Sequence, residues 1–140
     1  SVVTLGDSSQ INTNDGTCIM YAFSEKQGYS KFSSYTGNGN ANGNFIYLGF
    51  KPAFILLKGT ANTENWSMYD NKRLGYNVDN NSLACNNSAA ELTDDNIDLL
   101  SNGFKIRRQT GLLNDAQNYI YMAFAENPFV TSTGVPATAR

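Results

Sequence analysis

Turn chemistry cuts this chain into short pieces, and that limits what it can fold into. Nineteen Asn and 12 Gly are spread over 140 residues. Both types tolerate positive φ and supply tight turns. Between them lie short runs rich in Tyr, Phe, Ile and Leu, with 8 Tyr and 8 Phe in the chain. Aromatic and branched side chains favour strands. No long stretch has the Glu, Lys, Ala and Leu content of a helix. The pattern predicts an all-β fold: an antiparallel, jelly-roll-like β-sandwich of roughly eight or nine strands. The length suits one such domain with an appendage.

Individual runs make this concrete. Asp15-Gly16 lies between Ile11 and the apolar run 18–23, which predicts an N-terminal hairpin. A strand is expected over 29–35, then a polar, flexible loop over 37–44 (GNGNANGN). That loop has no Gly-Lys-Ser/Thr ending, so it does not read as a phosphate cradle. Residues 45–50 and 53–58 are apolar on both faces, as central strands covered on two sides are. Lys51-Pro52 breaks them, because proline has no N–H for the ladder. Residues 66–70 form a shorter strand, and 71–90 read as polar and irregular, with a short strand near Leu83. Residues 97–107 hold the sharpest signal, Asn102-Gly103 between two apolar runs, a type I′ hairpin pair. A turn at Asn114-Asp115 and a strand over 119–124 follow, and 128–140 reads as an extended or loosely docked tail.

The chain also repeats itself. Residues 118–126 (NYIYMAFAE) echo 17–25 (TCIMYAFSE), so that Phe124 matches Phe23 at an offset of 101 residues. At that offset Val3 and Leu5 fall on Phe104 and Ile106, and Ile11 falls on Leu112. An echo of this length predicts tandem modules of about 100 residues. The expected division is 1–25 as an N-terminal hairpin ending a preceding repeat module, 26–126 as the sandwich, and 127–140 as the tail. That hairpin must still bury its apolar face, either on the sheet edge of the following module or against another chain. Ser1 in place of an initiator Met, with no signal-peptide pattern, predicts a piece of something longer.

Composition excludes several function classes. Charged residues are 16% and the net charge is −2, so there is no basic field for nucleic acid. No apolar run approaches the roughly 20 residues of a membrane-spanning helix. Histidine is absent, which removes His-based triads, bases and metal ligands. Cys18 and Cys85 can form one disulfide or stay as two free, buried, small apolar side chains, and the second is expected.

Four segments in order, 25–39 (EKQGYSKFSSYTGNG), 45–58 (FIYLGFKPAFILLK), 97–106 (IDLLSNGFKI) and 119–140 (YIYMAFAENPFVTSTGVPATAR), carry a family likeness. Together they resemble a module of uncharacterised molecular activity at the C-terminus of tail and tail-fibre proteins of tailed bacteriophages. The resemblance covers nearly the whole chain, and residues 127–140 resemble the natural C-terminus of such proteins. It implies a place in the virion, in tail or fibre, and an adhesive or structural role. It implies other virion proteins as partners, copies of the chain itself as a homotrimer, and a host cell-surface glycan or protein. The family tends to carry a related piece upstream, and the resemblance brings no catalytic residues with it.

Each candidate chemistry competes with a plainer role. Glu91, Asp94, Asp95 and Asp98 are the densest carboxylates, and a phage depolymerase would need two at a fixed separation. Nothing in their spacing enforces one. Asp94, Asn96 and Asp98 alternate like the start of a calcium loop, but Leu99 stands where its glycine belongs. A hydrogen-bonded turn is the better reading, and no metal or cofactor is expected. Lys72-Arg73 and Arg107-Arg108 read as strand ends or salt-bridge partners. Serine nucleophiles have no base and no nucleophile-elbow motif. Glycan recognition needs flat apolar rings beside amides and carboxylates. The ligand-binding set that meets this is Trp66, Tyr69, Asp70, Tyr76, Asn77, Asp79 and Asn80, on expected loops (Trp66 alone reads first as core). The function expected is host-surface binding by a fibre domain. The alternatives are a purely structural capping or decorating module and, behind both, a polysaccharide depolymerase.

Overall fold

The structure, a computed structural model, describes residues 2–73, 77, 81–94 and 96–129. Among them are eight strands and no helix: β1 (Ser30–Thr36), β2 (Phe45–Tyr47), β3 (Pro52–Gly59), β4 (Ser67–Asp70), β5 (Ser82–Ala84), β6 (Ile97–Leu100), β7 (Gly103–Ile106) and β8 (Asn118–Ala125). One sheet runs β1-β8-β3-β4-β5 and the other β2-β7-β6, with every pairing antiparallel. They make the antiparallel sandwich that the turn pattern predicts.

The core follows from alternation along each strand. Ile55 and Leu57 of β3, Tyr69 of β4, and Tyr121 and Ala123 of β8 point inward from the larger sheet. Ile46, Ile97, Leu99, Phe104 and Ile106 meet them from the smaller one. Tyr35 stacks on Tyr119 with ring centroids 5.1 Å apart and donates its hydroxyl to the Leu113 carbonyl at 2.7 Å. β8 lies between β1 and β3 and shares both ladders. It is the strand on which the sandwich is built.

Several local expectations change. The β6–β7 hairpin is present, but its two loop residues are Ser101 and Asn102, since Leu100 pairs with Gly103. Gly103 is a strand residue, and a Cβ there would clash with the Ile46 carbonyl oxygen of β2. Its glycine serves close strand approach, not a left-handed turn. β2 is an edge strand with Phe45 and Tyr47 exposed, and the face that β3 turns away from the core is only half-buried, so the two-sided cover expected for 45–50 and 53–58 is not found. The first of these runs is cut by Gly49, at φ 82°. The loop 37–44 is tied down by fully buried Asn114, whose Nδ2 donates to the Asn38 side chain at 2.8 Å and the Asn40 carbonyl at 2.6 Å.

The expected N-terminal hairpin is not seen as paired strands among the described residues. Gly16 N–H does donate to the Thr13 carbonyl, closing the expected turn with Asp15 at φ 59°. No strand flanks it among residues 2–25; the Lys26–Ser30 bridge just after this segment, the Glu25 carboxylate on the Phe32 N–H and the Phe23 ring on Phe32 tie the region to β1. An isolated two-stranded hairpin is marginal in water, and here no third strand supports it. Cys18 and Cys85 are both free and exposed, which corrects the expectation of burial. Of the tail, 127–129 lie within the described residues, where Phe129 N–H donates to the Gly28 carbonyl at 3.2 Å. The rest of the tail lies outside them.

Candidate functional site

The side chains that β1, β8, β3, β4 and β5 turn away from the core make an apolar surface of their own. Register sets Phe32 opposite Met122, Met122 opposite Leu56, Leu56 opposite Met68, and Met68 opposite Leu83. That is one unbroken apolar row across all five strands. A second row joins Phe124 to Phe54. Phe124 is the centre of an aromatic cluster, with Tyr29, Phe32 and Phe54 all at about 6 Å between centroids. Phe23 leans on this cluster from the N-terminal segment, 5.8 Å from Phe32 and 6.1 Å from Phe124.

Beside the row lies an open hollow of about 480 Å³ lined by Phe32, Ser33, Ser34, Trp66, Ile120 and Met122. Ile120 keeps 42% of its surface exposed. A contiguous apolar face on a sandwich marks a contact surface, because a solvated sheet face ordinarily carries polar side chains. Charge does not interrupt it. Lys58 is occupied by the Gly59 and Asn62 carbonyls, and Asp70 by Arg73 at 2.8 Å.

The residues expected to bind a ligand are only partly assembled. Trp66 precedes β4, is half-buried and lines the hollow, so it belongs to the surface and not to the core. Tyr69 is corrected: it is 1% exposed between the sheets and offers nothing to a ligand. The alternation of β4 that turns Met68 outward turns Tyr69 inward. Burial pushes its phenol up to about 12, and the nearby Ser82 and Asn96 side chains pull the other way. Asp70 accepts the backbone N–H groups of Lys72 and Arg73 and pairs with the Arg73 guanidinium, so it closes a turn. Asn77 donates to the Leu99 carbonyl at 2.8 Å and accepts the Leu99 N–H at 2.6 Å, imitating a strand beside β6. Tyr76, Asp79 and Asn80 lie outside the described residues.

The carboxylate cluster is structural. Glu91 pairs with Arg73 at 2.6 Å and accepts from Asn81, and the guanidinium followed by that amide lowers its pKa below the ordinary range. Asp94 pairs with Arg108 at 2.5 Å, and Asp98 with Arg107. Arg73, Arg107 and Arg108 are thus salt-bridge partners, Lys72 is in none of these ion pairs, and Asp95 lies outside the described residues. Among the described residues, no group of three or more Cys, Asp or Glu side chains is placed to hold a metal ion. None of them forms a helix long and apolar enough to cross a membrane. The apolar row across five strands was not legible in the sequence, although the second apolar face of 53–58 was. Its signal was present in β3, where Phe54 and Leu56 alternate with the core residues Ile55 and Leu57.

Fold and surface together define an antiparallel β-sandwich with one sheet face open and apolar. The chain belongs to the family described as Domain of unknown function (DUF7483), whose profile matches residues 1–128, the N-terminal segment and the sandwich together. Comparison with curated proteins and with solved structures gave no match.

Proposed function

We propose that this chain is a tail or tail-fibre module of a tailed-bacteriophage virion and works by surface contact, not by catalysis. It joins copies of itself as a homotrimer, sits among other virion proteins and meets a host cell-surface glycan or protein. The observation that carries this reading is the apolar row Phe32–Met122–Leu56–Met68–Leu83. A face of this kind costs free energy while it is wet and gains about 25 cal/mol per Å² when covered. Closed cyclic assembly covers it without leaving a free end. The placement in a phage virion rests on the sequence resemblance.

A purely structural role, capping or decorating a fibre, is the second reading. It is favoured by Tyr69, Asp70 and Asn77 being committed to the fold. A depolymerase has less support, because Glu91, Asp94 and Asp98 are each held by an arginine. Light scattering after size exclusion tests the reading. The chain should elute at three times its own mass, and Ile120→Glu, a change at an exposed position of the face, should elute as monomer. A monomeric parent chain at tens of µM (about the range where small interfaces associate) would contradict it.

A further inference from the structure

A second concavity, unlike the apolar face, lies where the edge strands of the two sheets meet. It is a hollow of about 360 Å³ between β1 and the end of β2. Its lining includes Glu25 and Gln27, Ser30 and Lys31 of β1, Tyr47 of β2, and Gly49. Tyr47 is 61% exposed, and its ring is not packed into the core. Lys31 donates to the Tyr47 carbonyl at 3.1 Å, and its ammonium stands 5.6 Å from the centre of the Tyr47 ring. Among the described residues no carboxylate lies within 4 Å of that ammonium to form a salt bridge. Glu25 is anchored to the free edge of β1, where one oxygen accepts the Phe32 N–H at 3.4 Å.

We infer that this groove is a sugar-binding site for a neutral hexose or N-acetylhexosamine unit of a surface glycan. The inference deepens the host-contact part of the reading above and rests on it. Sugar rings need a flat apolar face for their C–H side, which Tyr47 presents to solvent. Their hydroxyls donate to carboxylates and accept from ammonium and amide groups. Glu25, Lys31 and Gln27 supply one of each. The opposed charges of Glu25 and Lys31 leave the groove neutral as a whole, which disfavours a strongly anionic ligand. Its volume is at the low end of the roughly 300–1,000 Å³ of small-ligand sites, enough for one or two sugar units and too small for a folded partner. Two separate segments build it, 25–31 and 47–50, so no single stretch of sequence holds the whole site.

The test is a titration of the full chain with the methyl glycosides of glucose, galactose and N-acetylglucosamine, followed in two-dimensional amide spectra. At least one should move the amides of 28–31 and 47–50, with a dissociation constant on the order of 1–10 mM. Tyr47→Ala and Glu25→Gln should each weaken it by about tenfold or more. Both positions are exposed, so unchanged spectra elsewhere will verify the fold. No movement at 28–31 and 47–50 up to about 50 mM, or movement that Tyr47→Ala leaves intact, overturns the groove. Movement confined to the Trp66 hollow overturns the groove yet leaves the host-contact reading standing. A chain that binds no sugar but assembles as a trimer overturns the groove and the glycan partner while the assembly reading survives.

Discussion

Residues 17–25 and β8 carry nearly the same sequence and meet opposite fates. Ile19, Ala22 and Phe23 match Ile120, Ala123 and Phe124. Ala123 is fully buried between the sheets, with β1 on one side of it and β3 on the other. Its counterpart Ala22 is exposed, and Met20, the counterpart of buried Tyr121, is 62% exposed. The same holds for the partner strand. Phe104 and Ile106 are at the centre of the core, whereas Val3 and Leu5 at the matching places are open to water. An apolar alternation thus specifies which face a strand can bury, but neighbours decide whether it is buried. β8 has two ladders to satisfy its backbone, and residues 17–25 have none among the described residues.

The largest expected difference between the two regions is in the core. Phe104→Ala should cost about 3–5 kcal/mol of unfolding free energy, the usual range for a buried aromatic. Val3→Ala, at the matching position, should change it by less than about 0.5 kcal/mol. Urea unfolding measures both, and a large loss from Val3→Ala would show that the segment is part of the cooperative core.

Alkaline pH should separate the regions next. Burial raises the phenol pKa of Tyr35, Tyr69, Tyr119 and Tyr121. Tyr119 and Tyr121 are replaced by Cys18 and Met20 in the echo. The folded state holds these protons more tightly than the unfolded chain, whose phenols ionise near pH 10. Stability is therefore full below about pH 10 and is lost as pH rises toward 12. Tyr69 alone, raised to about 12, accounts for roughly 3 kcal/mol of that loss. A urea midpoint that does not fall between these pH values would contradict the burial of these rings.

The smallest of the three effects concerns the loop anchor. Asn114 is fully buried, and its amide oxygen also accepts the Asn38 N–H at 3.0 Å. Asn114→Ala should cost about 1–3 kcal/mol, because the loop groups it serves lose their partner. Thr13→Ala, at the matching place in the echo, should cost close to nothing. Equal losses at the two positions would erase the contrast between the regions.

Much of the fold was legible from local rules. β6 and β7 were visible as a hairpin and β3 as a central strand, since each carries its apolar pattern and its punctuation in consecutive residues. The reasons were less legible. Gly103 looked like a turn residue, and only the approach of Ile46 from β2, more than 50 positions earlier, reveals why glycine stands there. The candidate site was harder still. Tyr69 drew attention because its neighbours are Asn-rich, although period-two alternation from Ser67 already places it inside. The arginines that hold Glu91, Asp94 and Asp98 arrive from other loops. The apolar row needs five strands in register, and no window along the chain contains more than one of its residues beside another. Residues 17–25 escaped in the opposite sense: their pattern predicts a strand, and nothing local reports that its neighbours are missing.

Trp66 is the single tryptophan of the chain and stands on the open sheet face. Its emission, recorded while the protein is concentrated from nanomolar to tens of micromolar, tests the central claim directly. If copies meet through this face, the emission should move to shorter wavelength over the same range in which the mass rises to a trimer, and Ile120→Glu should abolish both changes. Emission that stays at one wavelength while the mass triples, or a mass that never rises, would contradict the account.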